Sequence, residues 1–245
     1  MTPTEDQGFR IRGASPTRVD AFVDAAFAFA VTLLVISVGH VPQSVADLAQ
    51  ALRGVPAFAA SFYIIGRFWQ AHRSWSRHYG IEDGYGVRLS LALVFLLLVY
   101  IYPLRMVAEL TLATFSGGWL EEMPIKVQSV TDLRTIYVVF GIGYALTAAI
   151  FVLLNRHALN LADALGLSAA ERIRTRTICR RWTGVIGLAS LSIVLALTLP
   201  MGRGEAFPCD GVPGLLYLLL IPMIRLVVRR ERRELAALRI AESTP

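Results

Sequence analysis

The sequence predicts an all-α membrane protein of six transmembrane helices with both termini in the cytoplasm. Three observations carry this reading. More than half of the 245 residues are apolar (55%), and they fall in separate blocks close to the roughly 20 residues that cross about 30 Å of hydrocarbon. The basic residues sort by alternate loops. Seventeen of the 24 lysines and arginines lie in the N-terminal tail (Arg10, Arg12, Arg18), the second loop (Arg73, Arg77, Arg88), the fourth loop (Arg156, Arg172, Arg174, Arg176, Arg180, Arg181) and the C-terminal tail (Arg229, Arg230, Arg232, Arg233, Arg239). Only four (Arg53, Lys126, Arg134, Arg203) fall in the loops between, and Arg67, Arg105 and Arg225 lie within or beside spans. Such asymmetry marks the cytoplasmic side, and termini on one side require an even number of spans.

The elements follow in order. Residues 1–14 read as a flexible tail, residues 15–230 as the transmembrane domain and residues 231–245 as a cytoplasmic tail. Ser15-Pro16 is a helix-start signal, since serine caps and proline suits the first turn. The first span, Val19–Val38, ends near His40-Val41-Pro42; without the short apolar core of a cleavable signal, it is expected to stay as an anchor. The second, Val55–Phe68, is interrupted by Pro56 and Gly66, and its helix is expected to run from as early as Ser44 to about His78. Gly80–Gly86 is a turn. The third span, Leu89–Tyr102, extends to about Leu112, with Pro103 near its outer end. After an outer loop at Ser116–Thr131, the fourth span (Thr135–Leu154) ends near Asn155 and leads into an arginine-rich cytoplasmic loop. The fifth, Val185–Leu199, turns outside over Met201–Pro213, and the sixth, Gly214–Val228, exits at Arg225–Arg233. Trp69, Trp75, Trp119 and Trp182 fall near span ends, as interfacial anchors do.

The positive charge is therefore a topology signal rather than a nucleic-acid footprint, and Arg229–Arg233 suits anionic lipid head groups. Cys179 and Cys209 fall on opposite sides and do not pair. No metal cluster, nucleotide-binding loop or nucleophile beside a base is visible, so neither a cofactor nor an enzyme is expected. Gly84-Tyr85-Gly86 resembles a carbonyl filter but follows Glu82-Asp83 in a cytoplasmic turn. Gly141 and Gly143 sit mid-span, where helix packing explains them. The arginines of 172–181 lie in a charged loop, not at every third position of an apolar voltage-sensing span.

The chemistry concentrates in the first span. Asp20 and Asp24 are four apart on one face, with Arg18 within a turn or two of both. Charge in hydrocarbon costs a few kcal/mol, so such residues face protein or water. Asp20 is equally explained by the helix dipole, which favours acids at an N-terminus; for Asp24 a buried structural role or one at a pore mouth is favoured. Phe22, Ala26, Phe29, Leu33 and Ile36 follow 4-3-4-3 spacing along one stripe. Ala21, Ala25, Ala28 and Thr32 form a small-residue stripe beside it, which suits close helix packing.

Arg18-x-x-x-Phe22-x-Asp24, continuing through Ala25-Ala-Phe27-Ala-Phe29-Ala-Val-Thr32-Leu33-Leu34-Val35, resembles the opening signature of the transmembrane protein 175 family, the lysosomal and prokaryotic potassium channels. Gly66-Arg-Phe-Trp69-Gln-Ala-His72-Arg73 is similar to that family's Gly-x-x-Trp-x-x-His segment, and the six-helix order matches a single-repeat bacterial member. The resemblance implies a homotetramer in a bacterial inner membrane, with the first helix lining a potassium-favouring pore. It places the constriction at Phe29, Leu33 and Ile36, with Thr32 on a neighbouring pore-facing position. Arg18, Phe22, Asp24, Trp69 and His72 become the network that orients this helix. Val23 departs from the signature serine, Phe29 from isoleucine or leucine, and Ser90 stands where an asparagine partner is usual. Two other readings stay open. One is a proton or cation secondary transporter using Asp24 and His72. The other is a non-conducting membrane protein sealed by the Phe29 ring.

Overall fold

The computed structural model describes residues 5–6, 8–36, 43–116, 129–200 and 211–243. A short hairpin of β1 (Glu5–Asp6) and β2 (Phe9–Arg10) precedes the helices α1 (Arg18–Ile36), α2 (Val45–Arg53), α3 (Val55–Tyr79), α4 (Gly84–Ser116), α5 (Val130–Asn160), α6 (Ala169–Thr198), α7 (Val212–Leu215) and α8 (Leu220–Ser243). Five helical stretches are long and apolar enough to cross a membrane, and six if the pair α2–α3, bent by 44° at Gly54, is one span. The chain is an all-α membrane protein.

Local chemistry sets the helix ends. At the start of α1, the Thr17 hydroxyl accepts from the Asp20 amide at 3.1 Å, while the Asp20 carboxylate accepts from the Thr17 amide at 2.9 Å. This reciprocal pair satisfies two otherwise orphaned donors. It moves the expected cap from Ser15 to Thr17 and assigns Asp20 to capping. Ser129 with Asp132 and Ser168 with Glu171 form the same device at α5 and α6. Ser44 caps α2, and Pro56 occupies the first turn of α3, where a missing N–H costs nothing. The expected single second helix is thus two, joined through Gly54.

Neighbouring helices pack in a chain. α1 lies against α3 and α4, α4 against α5, α5 against α6, and α6 against α8. The core combines Val23, Phe27, Ala30 and Leu34 of α1, Ile65 and Phe68 of α3, and Leu93, Leu97, Ile101 and Leu104 of α4 with Phe140, Phe151 and Leu154 of α5. Gly141 lets α5 approach α6: a Cβ there would lie 2.6 Å from the Ile193 side chain. A Cβ at Gly143 would lie 2.3 Å from the Tyr100 ring. Packing therefore accounts for both glycines, as expected.

Four further expectations need correction. The arginines of 172–181 are helical, not looped, because the cap at Ser168 starts α6 at Ala169. Thirty residues span about 45 Å, so α6 exceeds the hydrocarbon and carries its arginines on its N-terminal part. The far chain end, expected as a tail from residue 231, continues α8 to Ser243. The residues of the expected N-terminal tail that the structure describes are docked. Phe9 is buried and stacks on His78 at 4.3 Å, and the Arg12 and Gly13 amides donate to the Arg77 carbonyl at 3.0 Å. Trp75 is likewise a core residue, donating to the Leu154 carbonyl at 3.0 Å, rather than an interfacial anchor. The expectations for His40–Pro42, Trp119, Lys126, Arg203 and Cys209 lie outside the described residues.

Candidate functional site

The site is built on α1, which buries only one face. Val23, Phe27, Ala30 and Leu34 point into the core. Thr32 and Ala25 are exposed, as are Phe22 (54%), Phe29 (55%) and Ile36 (66%), while Leu33 is half-buried. At about 100° per residue, Ala25, Thr32 and Ile36 lie farthest from the packed face, and Phe29 and Leu33 flank them. The exposed face beyond Asp24 carries no charge. Thr32 is its polar group, and the hydroxyl donates to the Ala28 carbonyl at 3.1 Å.

The network expected behind this helix is partly assembled. Trp69 of α3 donates its indole N–H to the Asp24 carboxylate at 2.7 Å, and the Arg73 guanidinium lies 5.3 Å over the Trp69 ring. One turn on, buried His72 bonds to the Ser90 hydroxyl of α4 at 2.9 Å. Ser90 is thus the polar partner of His72 on α4. Arg18 and Phe22 stand apart from these bonds. Arg18 instead lines a cleft of about 300 Å³ with Asp20, Trp75, Ser76, Glu82 and Ser90, and Phe22 lies on the exposed face. Two separate ties, α1–α3 and α3–α4, stand where one network was expected.

Below this cleft the loop ends are tied together. The Arg12 guanidinium meets both Glu171 oxygens at 2.8 and 3.0 Å and also donates to the Leu165 and Gly166 carbonyls. The docked segment leads directly into α1, so α1 and α6 share an anchor. Asp83 accepts from the Gly86 amide at 2.8 Å, capping α4, and meets His157 of α5 at 2.6 Å. Slight burial opposes ionisation of Asp83, but those bonds outweigh it and hold the carboxyl below its ordinary value.

At the opposite end of α1 stands a pair that sequence reasoning missed. Arg105 and Glu109 of α4 are both buried and ion-paired, and the Arg105 guanidinium donates to the Leu34 carbonyl at 3.1 Å. The signal was present: opposite charges four residues apart inside an apolar run, just after Pro103. Among the described residues no group of three or more histidine, cysteine or acidic side chains is placed to hold a metal ion.

Comparison with known proteins bears on this geometry. Residues 18–103 match the sequence model of the family described as endosomal/lysosomal potassium channel TMEM175. A protein of Marivirga tractuosa named potassium channel is 30% identical over 233 residues, covering 92% of this chain and 93% of that protein. The crystal structure of a variant of the potassium channel MtTMEM175, bound to a nanobody–MBP fusion, superposes with a TM-score of 0.75. It is 28% identical, over 94% of this chain and 99% of its own. A lysosomal potassium-selective channel TMEM175 homolog from Chamaesiphon minutus shares the fold, with a TM-score of 0.56 at 22% identity over 86% and 96% of the two chains.

Proposed function

Because this chain belongs to the TMEM175 family of potassium channels, we propose that it forms a homotetrameric, potassium-favouring cation pore lined by α1, with both termini cytoplasmic. The observation that carries the reading is the half-packed α1. One face is locked into the subunit, and the other offers small, hydroxyl and large apolar residues with no charge past its second turn. Four such faces around an axis make a hydrophobic constriction. Ile36, Leu33 and Phe29 narrow it and resist wetting, and the Thr32 hydroxyl offers oxygen to a partly dehydrated cation. Asp24, held by Trp69, sets the rotation of α1 from its inner end, and its carboxylate concentrates cations near the mouth. Potassium is then the permeant ion, not a resident cofactor.

The same arrangement supports a bacterial inner-membrane setting, where the arginines of α8 meet anionic head groups. Arg229, Arg232 and Arg233 serve this best, since Arg230 is already paired with Glu234. Arg180 shares Glu234.

Purified protein in liposomes, assayed for potassium against sodium flux, tests the proposal. Passive potassium flux exceeding sodium flux, without counter-ion coupling, is the expected result. Flux that requires a proton gradient would replace the channel with a transporter using Asp24 and His72. No flux in the wild type, but flux in Phe29→Ala, would show an axis sealed by the ring.

A further inference from the structure

We propose that Arg105 is a positioning residue of the pore, fixing the outer end of α1 through the Leu34 carbonyl while Glu109 fixes the guanidinium. The inference rests on α1 lining the pore. It concerns the end of the helix opposite the Asp24–Trp69 tie.

Arg105 of α4 donates to the Leu34 carbonyl in the last described turn of α1, a turn that itself contains no basic residue. Arg105 and Glu109 retain only 7% and 6% of their exposure. A buried ion pair is a poor stabiliser compared with apolar residues of similar size. What this one adds is direction. The planar fork bonds the Glu109 carboxylate through Nε and the Leu34 carbonyl through a terminal nitrogen at once. A lysine ammonium is a single point of charge without that fork.

Leu34 lies between Leu33 and Ile36, and its side chain is fully buried. A carbonyl held there fixes both the height and the rotation of the constriction. With Asp24 held by Trp69 near the inner end, α1 is pinned at two points 10 residues apart. Thr32 and Ile36 then keep one orientation toward the axis.

The test uses Ile36→Cys as a reporter in protein lacking Cys179 and Cys209, reconstituted in liposomes and modified with a water-soluble thiol reagent. The modification rate is compared among Arg105, Arg105→Lys and Arg105→Gln/Glu109→Gln, alongside the potassium-to-sodium flux ratio of the same variants without the reporter. Arg105→Lys keeps the buried charge balanced and loses the fork. The double variant removes both charges together. A change of threefold or more in modification rate, with a shifted flux ratio, is expected in both. Rates and ratios equal to the parent, with only a lower melting temperature, would overturn the proposal and leave a structural brace. If the double variant fails to assemble, Arg105→Lys decides alone. A parent that conducts no potassium, yet shows an Arg105-dependent modification rate, would sink the channel reading while sustaining the anchor.

Discussion

Leu33, Thr32 and Ile36 lie within two turns of one another, yet they differ in how far they turn from the subunit core. Ile36 is mostly exposed and Leu33 half-buried. Replacing Ile36 with serine is therefore expected to change unitary conductance or the potassium-to-sodium ratio more than the same change at Leu33, which also loses packing. Planar-bilayer recordings in which both match wild type would remove these residues from the constriction. Asp24 has a different task. Asp24→Ala removes the acceptor of the Trp69 indole, a charge-assisted bond. Because Asp24 is exposed in the single chain, the loss is discounted to about 1 kcal/mol. We expect a lower yield of intact assembly in detergent, and a shifted potassium-to-sodium ratio in what survives, because α1 is then pinned at one end only. An undiminished yield would contradict that role.

At the scale of elements, the docked N-terminal segment joins α1 to α6. Arg12 and Glu171 are nearly enclosed, with side chains 13% and 5% exposed. Arg12→Ala leaves Glu171 without its ion-pair partner and is expected to cost about 3 kcal/mol. Arg18→Ala, at an exposed position, serves as the control. Thermal unfolding in detergent distinguishes them, and equal melting temperatures would show that the segment does not brace the bundle. The α3–α4 turn provides a pH-dependent tie. Asp83 has a lowered pKa in the folded protein, so it binds fewer protons there than in the unfolded chain. The stabilisation is fully present above its ordinary value of 3.8 and fades as pH falls through the lower folded value. Stability measured against pH should lose part of its decline below about pH 4 in Asp83→Asn; an unchanged acid limb would place the pH dependence elsewhere.

For the whole molecule, the contacts gather one set of ends: the N-terminal segment, the turn of α3 into α4 and the connection of α5 to α6 meet through Arg12, Asp83, His157 and Glu171. These are the segments where the basic residues concentrate, which supports a cytoplasmic face there. A membrane-impermeant thiol reagent applied outside intact cells is expected to modify Cys209 and spare Cys179; the reverse pattern would invert the topology. The all-α membrane class was legible in the sequence because the bilayer imposes a length rule on each segment separately, and the family was legible in the motifs of Arg18–Val35 and Gly66–Arg73. The resemblance put Asp24, Trp69 and His72 in one network, and the structure bonds Asp24 to Trp69 and His72 to Ser90. Hidden from the sequence were the docked Phe9 and Arg12, the helical arginines of α6, the core placement of Trp75 and the hold of Arg105 on Leu34. Apart from the α6 arginines, which follow from the local cap at Ser168, these contacts join residues 69 to 159 positions apart that meet only after the helices pack, and pattern along one segment carries no record of which neighbour will cover it. The sequence determined what crosses the membrane; the tertiary structure decided which face of α1 remains uncovered and what fixes its two ends, because packing and not composition sets a helix's rotation.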